Sequence, residues 1–315
     1  MRTASDPRRP FGRLITAMVT PFRPDGSLDT DGAARLATYL VEVQGNDGLV
    51  VNGTTGESPT TTDAEKDAMV RAVVEAVGER THVIAGVGTY DTRHSVELAQ
   101  AAEKAGADAV LVVTPYYNKP PQPGLLHHFT TIADACGLPM MVYDIPVRTG
   151  TPIETETMLR LAEHARIIAV KDAKGDMVET SLVTRHTDLA YYSGDDKNTL
   201  PLMSVGAVGV VGVPTHLFGR PTKEMILAYE AGEVGRALEL HHKLLPAFLG
   251  FFRTQGVILT KAALELQGLP SGPVRSPLVH ATAAQVARLR EDCAAAGRTL
   301  GTADQVAHEP LGTVW

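Results

Sequence analysis

Short apolar segments rich in β-branched residues recur along the chain, with helical patterns between most of them. The eight segments are 14–19, 48–51, 82–87, 109–113, 140–143, 167–170, 189–192 and 208–211. Apolar residues at helical spacing fill intervening stretches such as 33–42, 64–77, 95–105, 156–163 and 177–184. This alternation is typical of βα units around a parallel sheet. Eight units within about 220 residues predict an α/β protein with a (β/α)8 TIM barrel.

A doubly wound nucleotide-binding sheet is the competing architecture. The sequence Gly86-Val87-Gly88 lacks the third glycine, and the helix start that should follow it is missing. A Walker A pattern is also missing from the sequence. The barrel is therefore the favoured prediction.

The strand patterns stop at about residue 221, and helical patterns take over. They lie at 224–230, 234–249, 258–266 and 282–295. The first completes the barrel, and the others predict a small C-terminal helical extension. We therefore predict a flexible N-terminus at 1–10, a barrel catalytic domain at 11–232, a C-terminal helical domain at 233–297 and a tail at 298–315.

Composition narrows the class of protein. The chain has 315 residues, 44% of them hydrophobic, and a formal net charge of −7, so we expect no nucleic-acid partner. No apolar run reaches the roughly 20 residues that span a membrane, and no signal-peptide pattern opens the chain, so we expect a cytoplasmic protein without a membrane partner. Cys136 and Cys293 lie far apart in sequence, so they suggest neither a disulfide framework nor a zinc site. None of the eleven histidines has the spacing of a metal-ligand motif. We predict no bound metal and no cofactor.

The segment Ile167–Asp172 suggests the chemistry. Lys171 ends a short apolar strand, where an ammonium group is poorly solvated and its pKa falls. A lysine that is neutral near pH 7 is a nucleophile that forms Schiff bases with carbonyl substrates. From this segment alone, a surface lysine or one paired with Asp172 is the commoner case.

Residues that follow the other strands change that balance, because barrel active sites lie at the carboxyl ends of the strands. The stretches are GTTGES (53–58), TPYYNKP (114–120), YDIPVRTG (143–150) and SGDD (193–196). Each is weak alone. Together they offer hydroxyls, phenols, a turn that exposes backbone N–H groups to a carboxylate, and one guanidinium. The acidic 195–196 pair disfavours a sugar phosphate.

These motifs, with VKDAKG at 170–175, appear in an order and at intervals that closely resemble the dihydrodipicolinate synthase family. The resemblance runs from about residue 12 to residue 289. It implies a pyruvate-dependent class I aldolase chemistry, shared with N-acetylneuraminate lyase. The implied reaction condenses pyruvate with L-aspartate 4-semialdehyde on the route to diaminopimelate and lysine.

The resemblance also implies a role for each site residue. Lys171 forms the Schiff base, and Tyr143 is the general acid and base. Thr54 and Tyr117 complete a proton relay, Tyr117 reaching in from a neighbouring subunit. The substrate-binding residues implied are Thr55, Arg148, Gly194 and Val211. Because Tyr117 needs a second copy, the resemblance implies a homo-oligomer, expected to be a tetramer built as a dimer of dimers.

Two other interpretations stay open. One is a related lyase acting on a sugar acid of the N-acetylneuraminate or 2-keto-3-deoxygluconate type, and the other is a non-catalytic barrel paralogue. Arg148 favours the synthase, because an aldehyde with its own carboxylate calls for a cation. Lys171 and Tyr143 are both retained, which disfavours a non-catalytic paralogue.

A further expectation concerns regulation. By alignment with family members that lysine inhibits, the lysine-binding positions are Asp63, Lys66, Tyr90 and His94. Two cationic or basic side chains there repel the ammonium groups of lysine. We expect lysine to inhibit weakly or not at all.

Overall fold

The computed structural model describes residue 6 and residues 8–301, and its centre is a closed barrel of eight parallel strands. The strands are β1 (Leu14–Ala17), β2 (Gly48–Val51), β3 (His82–Gly86), β4 (Ala109–Val113), β5 (Met140–Asp144), β6 (Ile167–Asp172), β7 (Ala190–Ser193) and β8 (Gly209–Gly212). Neighbours in sequence pair throughout, and β8 closes on β1 with Leu14 opposite Val210. The predicted TIM barrel is confirmed.

Helices follow each strand and cover the outside of the barrel. They are α1 (Thr30–Glu42), α2 (Asp63–Val77), α3 (Thr92–Lys104), α4 (Gln122–Ala135), α5 (Pro146–Thr149), α6 (Thr155–Leu161), α7 (Met177–His186), α8 (Thr199–Met203) and α9 (Thr215–Glu230). The sequence pattern did not predict α4, α5 or α8. The capping box that begins α2 is present, with the Thr62 side chain accepting from the N–H of Glu65.

Two hydrophobic clusters explain why the strands are almost continuously apolar. One fills the barrel and includes Ile15, Val50, Met141 and Tyr192. The other lies between the strands and the helices and continues into the C-terminal helices. Strands in such a barrel are buried on both faces, so alternation of polar and apolar residues is lost.

The C-terminal helices are α10 (Val234–Gly250), α11 (Gly256–Glu265) and α12 (Ala283–Ala295). The proposed domain boundary at 232–233 falls between α9 and α10. Most of the tail expected at 298–315, and most of the N-terminus expected at 1–10, lie outside the described residues. Within the described residues, Arg298 donates to the Leu217 carbonyl oxygen and Leu300 is buried. None of the helices described is long and apolar enough to span a membrane.

Candidate active site

A cavity of about 230 Å³ opens at the carboxyl ends of the strands. Its walls include Thr54 and Ser58 from the turn after β2, and Tyr116 from the loop after β4. Tyr143 of β5 and Arg148 of α5 also line the cavity, whereas Lys171 is not one of its lining residues and lies against the Tyr143 ring. The cavity therefore brings together residues from several of the motifs singled out in the sequence.

Lys171 lies in β6 directly opposite Tyr143 of β5. Its side chain is buried, and its Nζ lies 4.2 Å from the centre of the Tyr143 ring. Burial lowers the pKa of Lys171 to about 8, while the negative charge of Asp196 opposes that change and the positive charge of Arg148 adds to it. About a tenth of the amine is therefore neutral at pH 7, and this neutral form is the one a Schiff-base nucleophile requires.

Asp172 does not neutralise Lys171, because successive strand residues point to opposite faces. The Asp172 carboxylate accepts from the Thr180 hydroxyl at 2.8 Å and from the Lys174 N–H at 2.8 Å, on the outer side of the barrel. The interpretation of Lys171 as one half of a Lys171–Asp172 ion pair is thereby excluded.

Tyr143 is suited to donate a proton. Burial raises the pKa of its phenol to about 12, which outweighs the lowering by the Arg148 charge and by a hydrogen bond with Thr54. The phenol is therefore protonated at neutral pH. It faces both Lys171 and the cavity, where it can protonate a group formed on the lysine.

The turn that carries Thr54 and Thr55 is stabilised by its own backbone. The Glu57 N–H donates to the Thr54 carbonyl oxygen at 3.2 Å, and the Ser58 N–H donates to the Gly53 carbonyl oxygen at 3.3 Å. Thr55 is buried. The turn thus presents one threonine hydroxyl to Tyr143 and encloses the next beside it.

The other expected substrate-binding residues lie at or just after the carboxyl ends of strands β5, β7 and β8. Arg148 is exposed at the end of α5 and lines the cavity. A Cβ on Gly194 would lie 3.0 Å from the Lys171 Cγ, so a side chain at 194 would crowd the lysine. Val211 of β8 is buried in the same interior cluster as Tyr143.

Tyr117 is the expected residue that a single chain does not bring into the site. Its side chain is 93% exposed, and its backbone has a φ of +74°. Tyr116 occupies the cavity wall instead and packs edge to face with Tyr90, with 5.4 Å between ring centres. In one chain, Tyr117 therefore does not join Thr54 and Tyr143 at the cavity.

Sequence reasoning missed one carboxyl group near the lysine. Asp196 is fully buried, accepts from the Val213 N–H at 3.1 Å, and acts electrostatically on Lys171. Burial raises the pKa of Asp196 to about 7. From the sequence, the SGDD stretch could be interpreted only as a negatively charged loop. Nothing in the sequence shows that one of its two aspartates is buried.

The chain closely matches known proteins over nearly its whole length. Residues 10–296 match the family model of the dihydrodipicolinate synthetase family. A 4-hydroxy-tetrahydrodipicolinate synthase of Acidothermus cellulolyticus is 72% identical over 92% of this chain and 94% of that protein. 4-Hydroxy-tetrahydrodipicolinate synthase 2 of Streptomyces coelicolor is 61% identical over 94% of this chain and 99% of that protein.

Solved structures of the same family are also similar to this chain in fold. A dihydrodipicolinate synthase from Cyanidioschyzon merolae, crystallised with lysine bound, superposes with a TM-score of 0.89 at 43% identity, covering 91% of this chain and 98% of that one. Dihydrodipicolinate synthase DapA-2 from Bacillus anthracis gives a TM-score of 0.88 at 42% identity, covering 92% and 98%. On its sequence, its fold and the arrangement of its strand-end residues, the chain belongs to the dihydrodipicolinate synthetase family.

Proposed function

We propose that this chain is a 4-hydroxy-tetrahydrodipicolinate synthase, which condenses pyruvate with L-aspartate 4-semialdehyde through a Schiff base on Lys171. The observation that carries the proposal is the buried Lys171 amine, with its pKa lowered to about 8, against the ring of Tyr143. A lysine so placed suits amine catalysis on a keto acid. The high identity to proteins named for this reaction supports the choice of substrates.

The first half of the reaction builds a nucleophile from pyruvate. The neutral Lys171 amine attacks the keto carbon, and the Tyr143 phenol donates a proton to the departing hydroxyl, which leaves as water. The resulting iminium draws electrons from the methyl carbon, whose proton passes to the Tyr143 phenolate as the enamine forms. Thr54, hydrogen-bonded to Tyr143, orients the phenol for both proton transfers.

The second half forms the new carbon–carbon bond and frees the enzyme. The enamine carbon attacks the aldehyde carbon of the semialdehyde, whose oxygen takes a proton from the Tyr143 phenol. The amine of the semialdehyde then attacks the iminium carbon, closes the ring and expels Lys171. In this scheme Thr55 and its neighbouring backbone N–H groups hold the pyruvate carboxylate, Gly194 and Val211 shape the space around the lysine, and Arg148 binds the second carboxylate.

The functional unit that we propose is a cytoplasmic homo-oligomer, a tetramer built as a dimer of dimers. The outward-facing Tyr117, which is far too exposed to serve the cavity of its own chain, supports at least a dimer. The dimer of dimers rests on the resemblance to the family. In an assembly, that tyrosine would complete the relay of a neighbouring copy. The two cysteines are free and buried, which suits a reducing compartment.

Borohydride trapping tests the chemistry directly. Incubation with pyruvate and borohydride should add the mass of one reduced pyruvate to each chain, at Lys171. Lys171→Ala should abolish the adduct, whereas Lys174→Ala, which changes the neighbouring lysine on the outer side of the barrel, should retain it. Labelling that persists in Lys171→Ala would place the nucleophile elsewhere.

A substrate comparison tests the second partner. Pyruvate with L-aspartate 4-semialdehyde should turn over rapidly, while N-acetylneuraminate and 2-keto-3-deoxygluconate should not be cleaved. Arg148→Met should raise the KM for the semialdehyde far more than the KM for pyruvate. Cleavage of a sugar acid would retain the Lys171 chemistry and overturn the choice of aldehyde.

A further inference from the structure

The turn that carries Thr54 and Thr55 contains a residue in an unfavourable backbone conformation. Glu57 has a φ of +55°, in the left-handed region. Glutamate, unlike glycine or asparagine, has no intrinsic reason to adopt it. Such a conformation persists only when the surrounding structure enforces it. The contacts of the Glu57 side chain show what does so.

The Glu57 carboxylate points away from the cavity and into the C-terminal part of the chain. Its Oε1 lies 2.7 Å from the Nζ of Lys261 in α11, and the two side chains are 1% and 3% exposed. Its Oε2 accepts from the Arg275 N–H at 2.8 Å. One oxygen of this buried carboxylate accepts a hydrogen bond and the other takes part in an ion pair, both with residues more than 200 positions later in the chain.

Lys261 is itself fixed in place. Its Nζ donates to the Pro273 carbonyl oxygen at 2.7 Å and lies 4.2 Å from the centre of the Phe22 ring. Burial lowers the pKa of Lys261 to about 8, while the charge of Glu57 opposes that change. A buried charge of this kind is costly unless its partner stays in contact, so the ion pair resists separation.

Arg275 adds a second connection at the other end of the turn. Its guanidinium contacts the Glu65 carboxylate at the start of α2 and donates to the Thr60 carbonyl oxygen at 2.8 Å. It also donates to the Gly26 carbonyl oxygen in the loop after β1. The segment 271–275 therefore joins the C-terminal helices to the catalytic turn and to the helix that follows it.

We infer that Glu57 is a positioning residue, and that its buried ion pair with Lys261 makes the C-terminal helices hold the pyruvate-binding turn in register with Lys171 and Tyr143. The inference rests on the proposed function. It assigns the C-terminal extension a part in substrate binding, although none of its described residues lines the cavity. If Lys261 loses its charge, Glu57 is left buried without its cationic partner, and the turn must shift to bring the carboxylate to water.

Lys261→Met is the decisive variant, because it leaves every residue of the turn and of the cavity unchanged. Borohydride trapping over a range of pyruvate concentrations, well below the melting temperature of each protein, gives the half-saturating concentration. We expect about a tenfold increase, equivalent to about 1.4 kcal/mol of lost binding. The KM for the semialdehyde should change less than twofold, because Arg148 lies on α5.

The double variant Glu57→Gln/Lys261→Met tests whether the effect passes through Glu57. With both charges removed, the neutral amide side chain can stay inside and accept from the Arg275 N–H, so pyruvate half-saturation should return most of the way to the wild-type value. No recovery would overturn the inference. Should Lys261→Met fail to fold, Glu57→Gln alone supplies the test and should raise the half-saturating concentration by a smaller factor.

Lys223→Met is the matched control. It removes the charge from a second ion pair that is only partly buried, with both side chains 27% exposed, in which the Lys223 Nζ lies 2.6 Å from Asp47, before β2 at the opposite end of the barrel. It should lower the melting temperature and leave pyruvate half-saturation unchanged. An unchanged half-saturation in Lys261→Met as well would mean that the Glu57 pair only stabilises the fold, and would overturn the inference. Failure of the wild-type protein to be trapped would instead overturn the proposed function.

Discussion

At the scale of single residues, burial prepares two groups of the site for opposite tasks. It lowers the pKa of Lys171 to about 8, so that the amine is partly neutral, and it raises the pKa of Tyr143 to about 12, so that the phenol keeps its proton. The two groups lie opposite each other on neighbouring strands. A nucleophile and a proton donor are thereby available together at neutral pH.

The pH dependence of pyruvate trapping should report the state of Lys171. Only the neutral amine attacks, so the trapping rate should rise with pH through a midpoint near the folded pKa of about 8 and then level off. The charge of Asp196 raises the pKa of Lys171, so Asp196→Asn should move the midpoint to lower pH. Stopped-time trapping followed by mass spectrometry across a pH series gives the midpoints.

Asp188→Asn controls for the loss of one negative charge. Asp188 is exposed just before β7, at the opposite end of the barrel from the cavity. Its variant should keep the wild-type midpoint. A midpoint in Asp196→Asn that stayed in place or moved to higher pH would show that Asp196 does not govern the lysine.

Local sequence predicted the residues that face the cavity better than the residues that support them. Lys171, Tyr143 and Arg148 each follow or end an apolar segment, so strand periodicity alone brings them to one end of the barrel. The supporting pair, Glu57 and Lys261, is separated by about 200 residues, and only tertiary packing brings the two charges together. A lysine inside an apolar helix such as 256–265 was the available signal.

At the scale of elements, all eight strands were predicted because each is apolar on both faces and bounded by turn residues. Helix α4 was missed although Leu125, Phe129 and Ile132 are buried at helical spacing. Two prolines directly precede the helix, and two threonines lie inside it. Both residue types have low helix propensity, which obscures the helical spacing of the apolar residues. Helix α8 has five residues with a proline inside and offers too little sequence for periodicity to emerge.

Glu65 joins the start of α2 to the C-terminal segment, and its charge should contribute to stability in a pH-dependent way. The Arg275 guanidinium, together with hydrogen bonds from Thr62, outweighs burial and lowers the pKa of Glu65 from 4.5 to about 2. Because the folded state favours the ionised form, the contribution is complete above the unfolded pKa and is lost as pH falls from about 4.5 towards 2. Glu65→Gln retains the capping geometry and should lower the free energy of unfolding by about 2 kcal/mol at neutral pH.

Urea unfolding at neutral pH and at about pH 3 measures this contribution, and the gap between wild type and Glu65→Gln should narrow in acid. Asp67→Asn is the control, because the Asp67–Arg71 pair is a solvent-exposed i,i+4 pair and should contribute less than about 0.5 kcal/mol. A gap for Glu65→Gln that stayed constant with pH would refute the assignment of the effect to its charge.

The surface between α2 and α3 bears on regulation. His94 lies 3.0 Å from the Asp63 carboxylate, and Lys66 donates its Nζ hydrogen to the Thr61 carbonyl oxygen. The Asp63 carboxylate is therefore already paired with His94, and the Lys66 ammonium lies close enough to act on it electrostatically. We therefore expect millimolar lysine to leave turnover almost unchanged, and His94→Glu with Lys66→His to create sensitivity. Strong inhibition of the wild-type enzyme by sub-millimolar lysine would contradict this expectation.

At the scale of the whole molecule, the barrel and its lysine are complete in one chain, but the proposed relay is not. Tyr143 and Thr54 meet through elements of one barrel, whereas Tyr117 is 93% exposed beside the cavity of its own chain. Its φ of +74° is unfavourable for a tyrosine, and nothing described within the chain uses the outward direction that this conformation gives the ring. In the assembly that we propose, this outward direction brings the Tyr117 ring to the site of a neighbouring copy.

Mixing two inactive variants tests whether Tyr117 acts across an interface. Lys171→Ala lacks the nucleophile and Tyr117→Phe lacks the relay hydroxyl, so each alone should be nearly inactive. Unfolded together in equal amounts and refolded, they should form mixed dimers in which one site has the lysine of one chain and the tyrosine of the other. Random pairing gives about one quarter of all sites intact, and synthase activity should recover to that level.

Lys171→Ala mixed with Tyr143→Phe is the control, because both groups come from the same chain and no intact site can form. Equal recovery in both mixtures, or none in either, would exclude a Tyr117 contributed by a neighbouring copy.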